Sequence, residues 1–216
     1  MTGLVRKATL LTVCGLVVAG AAMAGVPSPS NSTKSSNCIR YVGLKAGVAD
    51  PAGTFTVTVR DLVPNVIANS QVVIDFSGCG DTHSANQASQ QVSLNLTVDG
   101  TNKTVRALTN GSGVATFSIV GGVTASRTPV AAANCAKIFA DGVLLSNVSV
   151  NAFDQDGVAG VALADLALWA GDFYSALNQR RSDYDCNAAV ALPDLSIWAV
   201  DFYSTNSAAS GSGYAW

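Results

Sequence analysis

The chain contains no glutamate: all fourteen acidic residues are aspartates. It has a single histidine, His83, and charged residues make up only 12% of its 216 positions. Glycosidases usually work with Asp/Glu pairs, and hydrolytic triads set a histidine beside a positioned serine and an aspartate. Here no elbow-like motif surrounds any serine, and the stretch around His83, from Gly80 to Gln91, reads as a polar loop. Catalysis is therefore not expected. Basic residues are few and scattered, and the pI is near 5.1, which argues against nucleic-acid binding.

Long apolar runs are also missing, apart from one near the start. Arg6 and Lys7 precede an apolar run from Leu10 to Met23 that closes on Ala22-Met23-Ala24. The run falls short of the ~20 residues that span a bilayer. Residues 1–24 are expected to be a cleaved secretion signal, with an N-terminal membrane anchor as the alternative. Cys14 lies within that run without a small residue before it, which does not suit lipid attachment. With the signal removed, no membrane span is expected and four cysteines remain: Cys38, Cys79, Cys135 and Cys186. An even count in an exported chain suggests two disulfides, with three pairings open. Cys79 and Cys135, near predicted strand ends, are the first choice, which would leave Cys38 with Cys186.

What charge there is lies unevenly. Residues 25–150 hold eight Lys/Arg against six Asp, a net of +2, whereas residues 151–204 hold two Arg against eight Asp, a net of −6. Such a segment repels itself unless cations neutralise it.

Residues 25–37 are polar and proline-broken, and are expected to form a flexible leader. From residue 38 to 150 the chain alternates with period two: Phe55, Val57 and Val59 oppose Thr54, Thr56 and Thr58. Val72, Ile74 and Phe76 repeat the pattern, as do Val92, Leu94, Leu96 and Val98. Asp99-Gly100, Asn110-Gly111 and Asp141-Gly142 supply turns. This spacing predicts a mainly β domain, a β-sandwich. The strand–connection–strand stretch from Phe55 to Phe76, and the glycine-rich turn before the Val114–Phe117 strand, resemble bacterial immunoglobulin-like domains of the invasin and intimin kind. The resemblance covers residues 45–122 and implies a spacer or surface role; an unrelated sandwich would imply much the same.

Residues 154–175 recur 29 positions later as residues 183–204, with Asp154, Asp156, Val161, Leu163, Asp165, Leu166, Trp169, Asp172, Phe173, Tyr174 and Ser175 all matched. This is an internal duplication. Its spacing suits calcium, a hard cation that takes about 6–8 oxygen ligands from a twelve-residue loop. The second copy supplies Asp183, Asp185, Asn187, the carbonyl of Ala189, and Asp194. The first supplies Asp154, Asp156, the carbonyls of Val158 and Gly160, and Asp165; with valine at its fifth position it is expected to be the weaker site. Val190, at the eighth position, is expected to turn inward and join the two loops. A helix should follow each twelfth-position Asp, with Leu166, Trp169 and Phe173, then Leu195, Trp198 and Phe202, forming paired apolar faces. Asp172 and Asp201 are expected on the exposed side.

Loops, inward valine and helices together resemble type I dockerin modules over residues 151–204. The resemblance implies a small helical module with two calcium ions and a cohesin-like partner. Ala159 and Ala188 depart from the glycine usual at the sixth position, and Leu163-Ala164 and Leu192-Pro193 from the polar pairs that face cohesin. These departures trouble partner recognition more than metal binding. The last strand runs almost directly into Asp154, so the module is expected to pack on the sandwich, followed by a flexible small-residue tail at 205–216, with docking of Tyr214 and Trp216 on a neighbouring surface as the alternative. The resulting expectation is a secreted or cell-surface protein, bacterial by resemblance, that is rigidified by calcium within an extracellular assembly or self-assembly. A cohesin-binding module is the alternative, and a polysaccharide-active hydrolase a more distant one.

Overall fold

The computed structural model describes residues 25–87, 96–124, 133–158, 160–175, 179–204 and 215–216. The expected signal, the strand positions Val92 and Leu94, Ala159 and most of the tail lie outside these residues.

Among the described residues the chain is mainly β. The strands are β1 (Thr33–Lys34), β2 (Cys38–Val42), β3 (Leu44–Lys45), β4 (Val48–Ala49), β5 (Phe55–Thr58), β6 (Gln71–Asp75) and β7 (Thr82–Ser84). After them come β8 (Thr97–Asp99), β9 (Thr104–Leu108), β10 (Val114–Phe117), β11 (Ile119–Val123), β12 (Ala136–Ala140) and β13 (Val143–Ala152). Three helices follow: α1 (Leu163–Tyr174), α2 (Gln179–Ser182) and α3 (Leu192–Asp201).

Period-two alternation sorts the faces as the sequence predicts. Phe55, Val57 and Val59 are buried while Thr54 is exposed, and Val72, Ile74 and Phe76 are fully buried. Asp141 and Gly142, both at positive φ, turn β12 back on β13. Glycine accepts that backbone region without the steric cost a Cβ brings.

The strands form two main sheets, a three-stranded one ordered β1-β5-β10 and an eight-stranded one ordered β7-β11-β2-β13-β12-β6-β9-β8. The large sheet is mixed, because β2 lies parallel to both β11 and β13. Side chains from the two sheets share one core, in which Phe55, Val57, Ala115 and Phe117 meet Ile39, Ile74, Ile138 and Val150. The Cys79–Cys135 disulfide stands at the ends of β6 and β12, and Cys38–Cys186 ties β2 to the second aspartate loop.

Residues 25–37 are not the flexible leader the sequence suggested. β1 pairs with β5, and the Ser28 amide donates to the Arg60 carbonyl at 2.7 Å. Composition favours disorder in such a stretch, but an unpaired strand edge captures whatever backbone lies beside it.

A second core lies where the helices meet the sheet. Trp169, Trp198, Val161, Val190 and Tyr184 pack with Val42, Leu44, Ala85, Val120 and Phe153. The C-terminal segment therefore buries Val161, Trp169, Tyr184, Val190 and Trp198 against the β-domain, as the short junction at residues 150–154 led us to expect. Among the described residues no helix is long and apolar enough to cross a membrane.

Candidate metal centre

Each repeat folds into a loop that leads into a helix. One carboxylate oxygen from each of Asp154, Asp156 and Asp165 lies within 4.8 Å of the other two, and the same holds for Asp183, Asp185 and Asp194. Asp165 and Asp194, at the third residue of α1 and α3, are fully buried. Their positions follow from backbone amides. Asp165 Oδ1 accepts from the Gln155 and Asp156 amides at 2.6 and 3.0 Å, and its Oδ2 accepts from Ala162 at 2.8 Å. Asp194 accepts likewise from Asp185 and Ala191 at 2.9 and 2.8 Å. The helix starts with Ala162 and Ala191, which have no side-chain acceptor, so each aspartate forms half of a capping box while facing its loop.

The remaining predicted ligands fall around these pairs. Asp154 Oδ1 accepts from the Gly157 amide at 2.9 Å and Asp156 Oδ1 from Val158 at 2.7 Å. The Val158 side chain is exposed, which leaves its main chain to serve the loop, and Gly160 turns the backbone at φ +99. In the second loop Asp183 accepts from Asn187 and Ala188, and Asp185 accepts from both the amide and the side chain of Asn187. Asn187 Oδ1 in turn accepts from the Ala189 amide at 2.9 Å. Ala188 sits at φ +73, where a Cβ costs about 1–2 kcal/mol. Ala188→Gly is therefore expected to stabilise the protein by about 0.5–1 kcal/mol in chemical denaturation, after the entropy that glycine loses on folding.

This donor set suits a hard divalent cation. Burial raises the Asp183 carboxyl above its usual range, and the nearby Asp194 charge pushes the same way. Burial also raises Asp165, against three amide donors that lower it. Carboxylates gathered this closely and desolvated gain from a cation, whose binding would release the protons they hold. Arg40 is the basic side chain whose charge faces Asp185 and Asp194, yet its Nε donates to the Tyr184 carbonyl at 2.7 Å and its Nη1 to Ala52.

No family model, curated protein or solved structure matches the chain. The reading of the loops rests on their own geometry.

Two expectations are corrected by that geometry. Asp172 and Asp201 are buried, not exposed. The buried stripe of α1 is Asp165, Trp169 and Asp172, and that of α3 is Asp194, Trp198 and Asp201, because the β-domain covers that side of each helix. Phe173 is correspondingly more than a third exposed. Val161 and Val190 turn inward and share the second core, and the backbone of Val161 bonds Tyr203 and Ser204, just past α3. A side-chain link between the loops also comes from their second positions, where Gln155 Nε2 donates to Tyr184 Oη at 2.6 Å. Finally, His83 lies on β7 opposite Gly122 rather than on a solvated loop.

Several residues that hold the module in place were missed in the sequence. Arg181 and Asp81 form a fully buried ion pair, with Nε 2.7 Å from Oδ2 and Nη2 on Oδ1, while Nη1 donates to the Val150 carbonyl. A signal was available, since Arg180 and Arg181 are the only basic residues in the acidic segment. Ser182 Oγ donates to Asp172 Oδ2 at 2.5 Å and accepts from Gln155 at 2.7 Å.

Asp201 Oδ2 accepts from the Gly43 amide at 3.0 Å, while its Oδ1 has no donor. Asp50, beside it, is bound to Lys45 at 2.9 Å and caps the Ala52 amide. Burial, then the Asp50 charge, pushes the Asp201 carboxyl up to about 7, against the opposing Gly43 amide. The folded protein thus holds a proton that the unfolded chain releases near pH 4, so stability falls as pH rises from about 4 to 7. Asp201→Asn is expected to flatten that slope and to gain about 1–3 kcal/mol at pH 8, where the wild-type carboxylate is buried beside the Asp50 charge with a donor on Oδ2 alone. Denaturation midpoints at pH 5 and 8 would show it; an unchanged slope would refute it.

Proposed function

We propose that this chain is an exported, non-catalytic structural or surface protein whose C-terminal segment is rigidified on the β-domain by two calcium ions. One observation carries the reading: both copies of the repeat draw three carboxylates within 4.8 Å of one another at the head of a helix that packs into the shared second core. Calcium binding in the loops would thereby stiffen the junction between segment and sheet. The ligands would be Asp183, Asp185, Asn187, Ala189 and Asp194 at one site, and Asp154, Asp156, Val158, Gly160 and Asp165 at the other. Two disulfides agree with an oxidising, extracellular setting. Side chains of both sheets gathered in one core are compatible with an immunoglobulin-like spacer for the β part.

Calorimetric titration tests the metal assignment. Two calcium ions per chain are expected, with magnesium binding more weakly because it demands near-ideal octahedral geometry. Asp194→Ala should lower affinity more than Asp154→Ala, since it strips the site that has four oxygen-bearing side chains. The reverse order would overturn the ranking, and no calcium uptake at millimolar supply would overturn the function.

A dockerin-type docking role has one specific observation in its favour. Leu163 and Leu192, at the equivalent tenth positions, are 67% and 68% exposed, with Tyr174 and Tyr203 exposed at the far ends of the same helical segments. Symmetry-related apolar residues left in water suit a protein partner. Capture by cohesin-type domains in the presence of calcium, lost on Leu163→Asp/Leu192→Asp, would favour that role.

A further inference from the structure

Among the described residues the two edges of the eight-stranded sheet are β7 and β8. Residues 215 and 216 touch the structure at both. The Ala215 amide donates to the Ser84 carbonyl of β7 at 2.9 Å. A Cβ on Gly100, in the β8–β9 turn, would overlap the Ala215 carbonyl. The Trp216 carbonyl oxygen lies 2.6 Å from His83 Nδ1. Its indole stacks on Phe76 with centroids 5.8 Å apart and packs on the main core.

These contacts make a seat with three distinct parts. An edge strand offers main-chain bonding, as sheets do to added extended peptides. An aromatic face takes the indole, and a glycine makes room for the approaching backbone. We propose that this seat is a peptide-recognition groove for an extended Ala–Trp segment, filled here by the chain's own residues 215–216 and open to the same residues of a second copy.

The second copy is the occupant that the chain itself suggests. Among the described residues the contacts are made by Ala215 and Trp216, and ten positions separate these from Ser204. A connection of that length sets a local concentration of millimolar order. Dilute protein therefore keeps its own tail. Copies crowded to a similar concentration exchange tails, since an identical element makes identical contacts in either molecule. The inference is independent of the calcium reading.

A fluorescent peptide of residues 207–216 tests the seat on the full-length chain. Trp216→Ala removes the resident anchor and should bind the peptide in an anisotropy titration. Trp216→Ala/Gly100→Ala should bind it roughly tenfold more weakly or not at all. If Trp216→Ala does not fold, the unsubstituted protein decides: excess peptide should move the Ala215 amide resonance to its free-tail position. No binding to folded Trp216→Ala, or no movement of that resonance, overturns the seat. Mixing Trp216→Ala, with its open seat, and Gly100→Ala, with its intact tail, should give a one-to-one complex in sedimentation that neither forms alone. Peptide binding without that complex would overturn the second copy as occupant.

Discussion

Calcium at a hundredfold excess over its dissociation constant is expected to raise the melting temperature by about 10–20 °C relative to chelated protein. A ligand that binds only the folded state contributes about 2.7 kcal/mol per site at that excess, so two sites contribute about 5 kcal/mol. In a chain of this size each kcal/mol moves the midpoint by about 2–4 °C. The shape of the transition is informative too. An autonomous module would lose calcium and melt by itself, leaving the β-domain folded. Here Trp169, Trp198 and Tyr184 share a core with Val42, Val120 and Phe153, and the Cys38–Cys186 disulfide ties the second loop to β2. One transition that shifts as a whole is therefore expected. Differential scanning calorimetry with calcium and with EDTA would show it, and coincident traces would refute the metal assignment.

Arg181→Met is expected to destabilise the protein by about 3–5 kcal/mol, because it leaves the Asp81 carboxylate buried without its partner. Asp81→Leu should cost a similar amount for the mirror reason, since it leaves the buried Arg181 guanidinium on the Val150 carbonyl without its carboxylate. The double variant should recover much of the loss, because a buried pair replaced by apolar side chains of similar volume is often close to neutral. Urea denaturation of the four proteins closes the cycle. Single substitutions that cost under about 1 kcal/mol would place this pair with ordinary surface ion pairs. Arg181 enters the β-domain from α2, between the two loops, so the loss should also loosen the segment's seat on the sheet.

Much of the site was legible because ligand chemistry is local. A twelve-residue loop brings its own first, third, fifth and twelfth positions together, so Asp154, Asp156 and Asp165 could be grouped without knowledge of the rest of the fold. Asp183, Asp185 and Asp194 were grouped in the same way, and the repeat at 29 residues confirmed each loop by the other. Strand faces were legible for a similar reason, since alternation is a property of neighbouring residues. Alternation does not say which strand lies beside which. The parallel pairing of β2 with β13 and β11, and the capture of residues 33–34 by β5, depend on contacts between distant segments.

The burial of Asp172 and Asp201 shows the same divide. They follow Trp169 and Trp198 by three positions and so share the inward face of each helix, but only a partner supplied from elsewhere makes a buried aspartate tolerable: Ser182 for the one, Gly43 and the shared environment of Asp50 for the other. Spacing along the chain therefore set the two carboxylate clusters, the duplication and the mainly β character. Packing between distant segments set the mixed sheet, the buried Asp81–Arg181 pair and the common core that joins the repeat to the sheet. The first group rests on geometry within a dozen residues, the second on which desolvated group meets which partner after the chain has closed on itself.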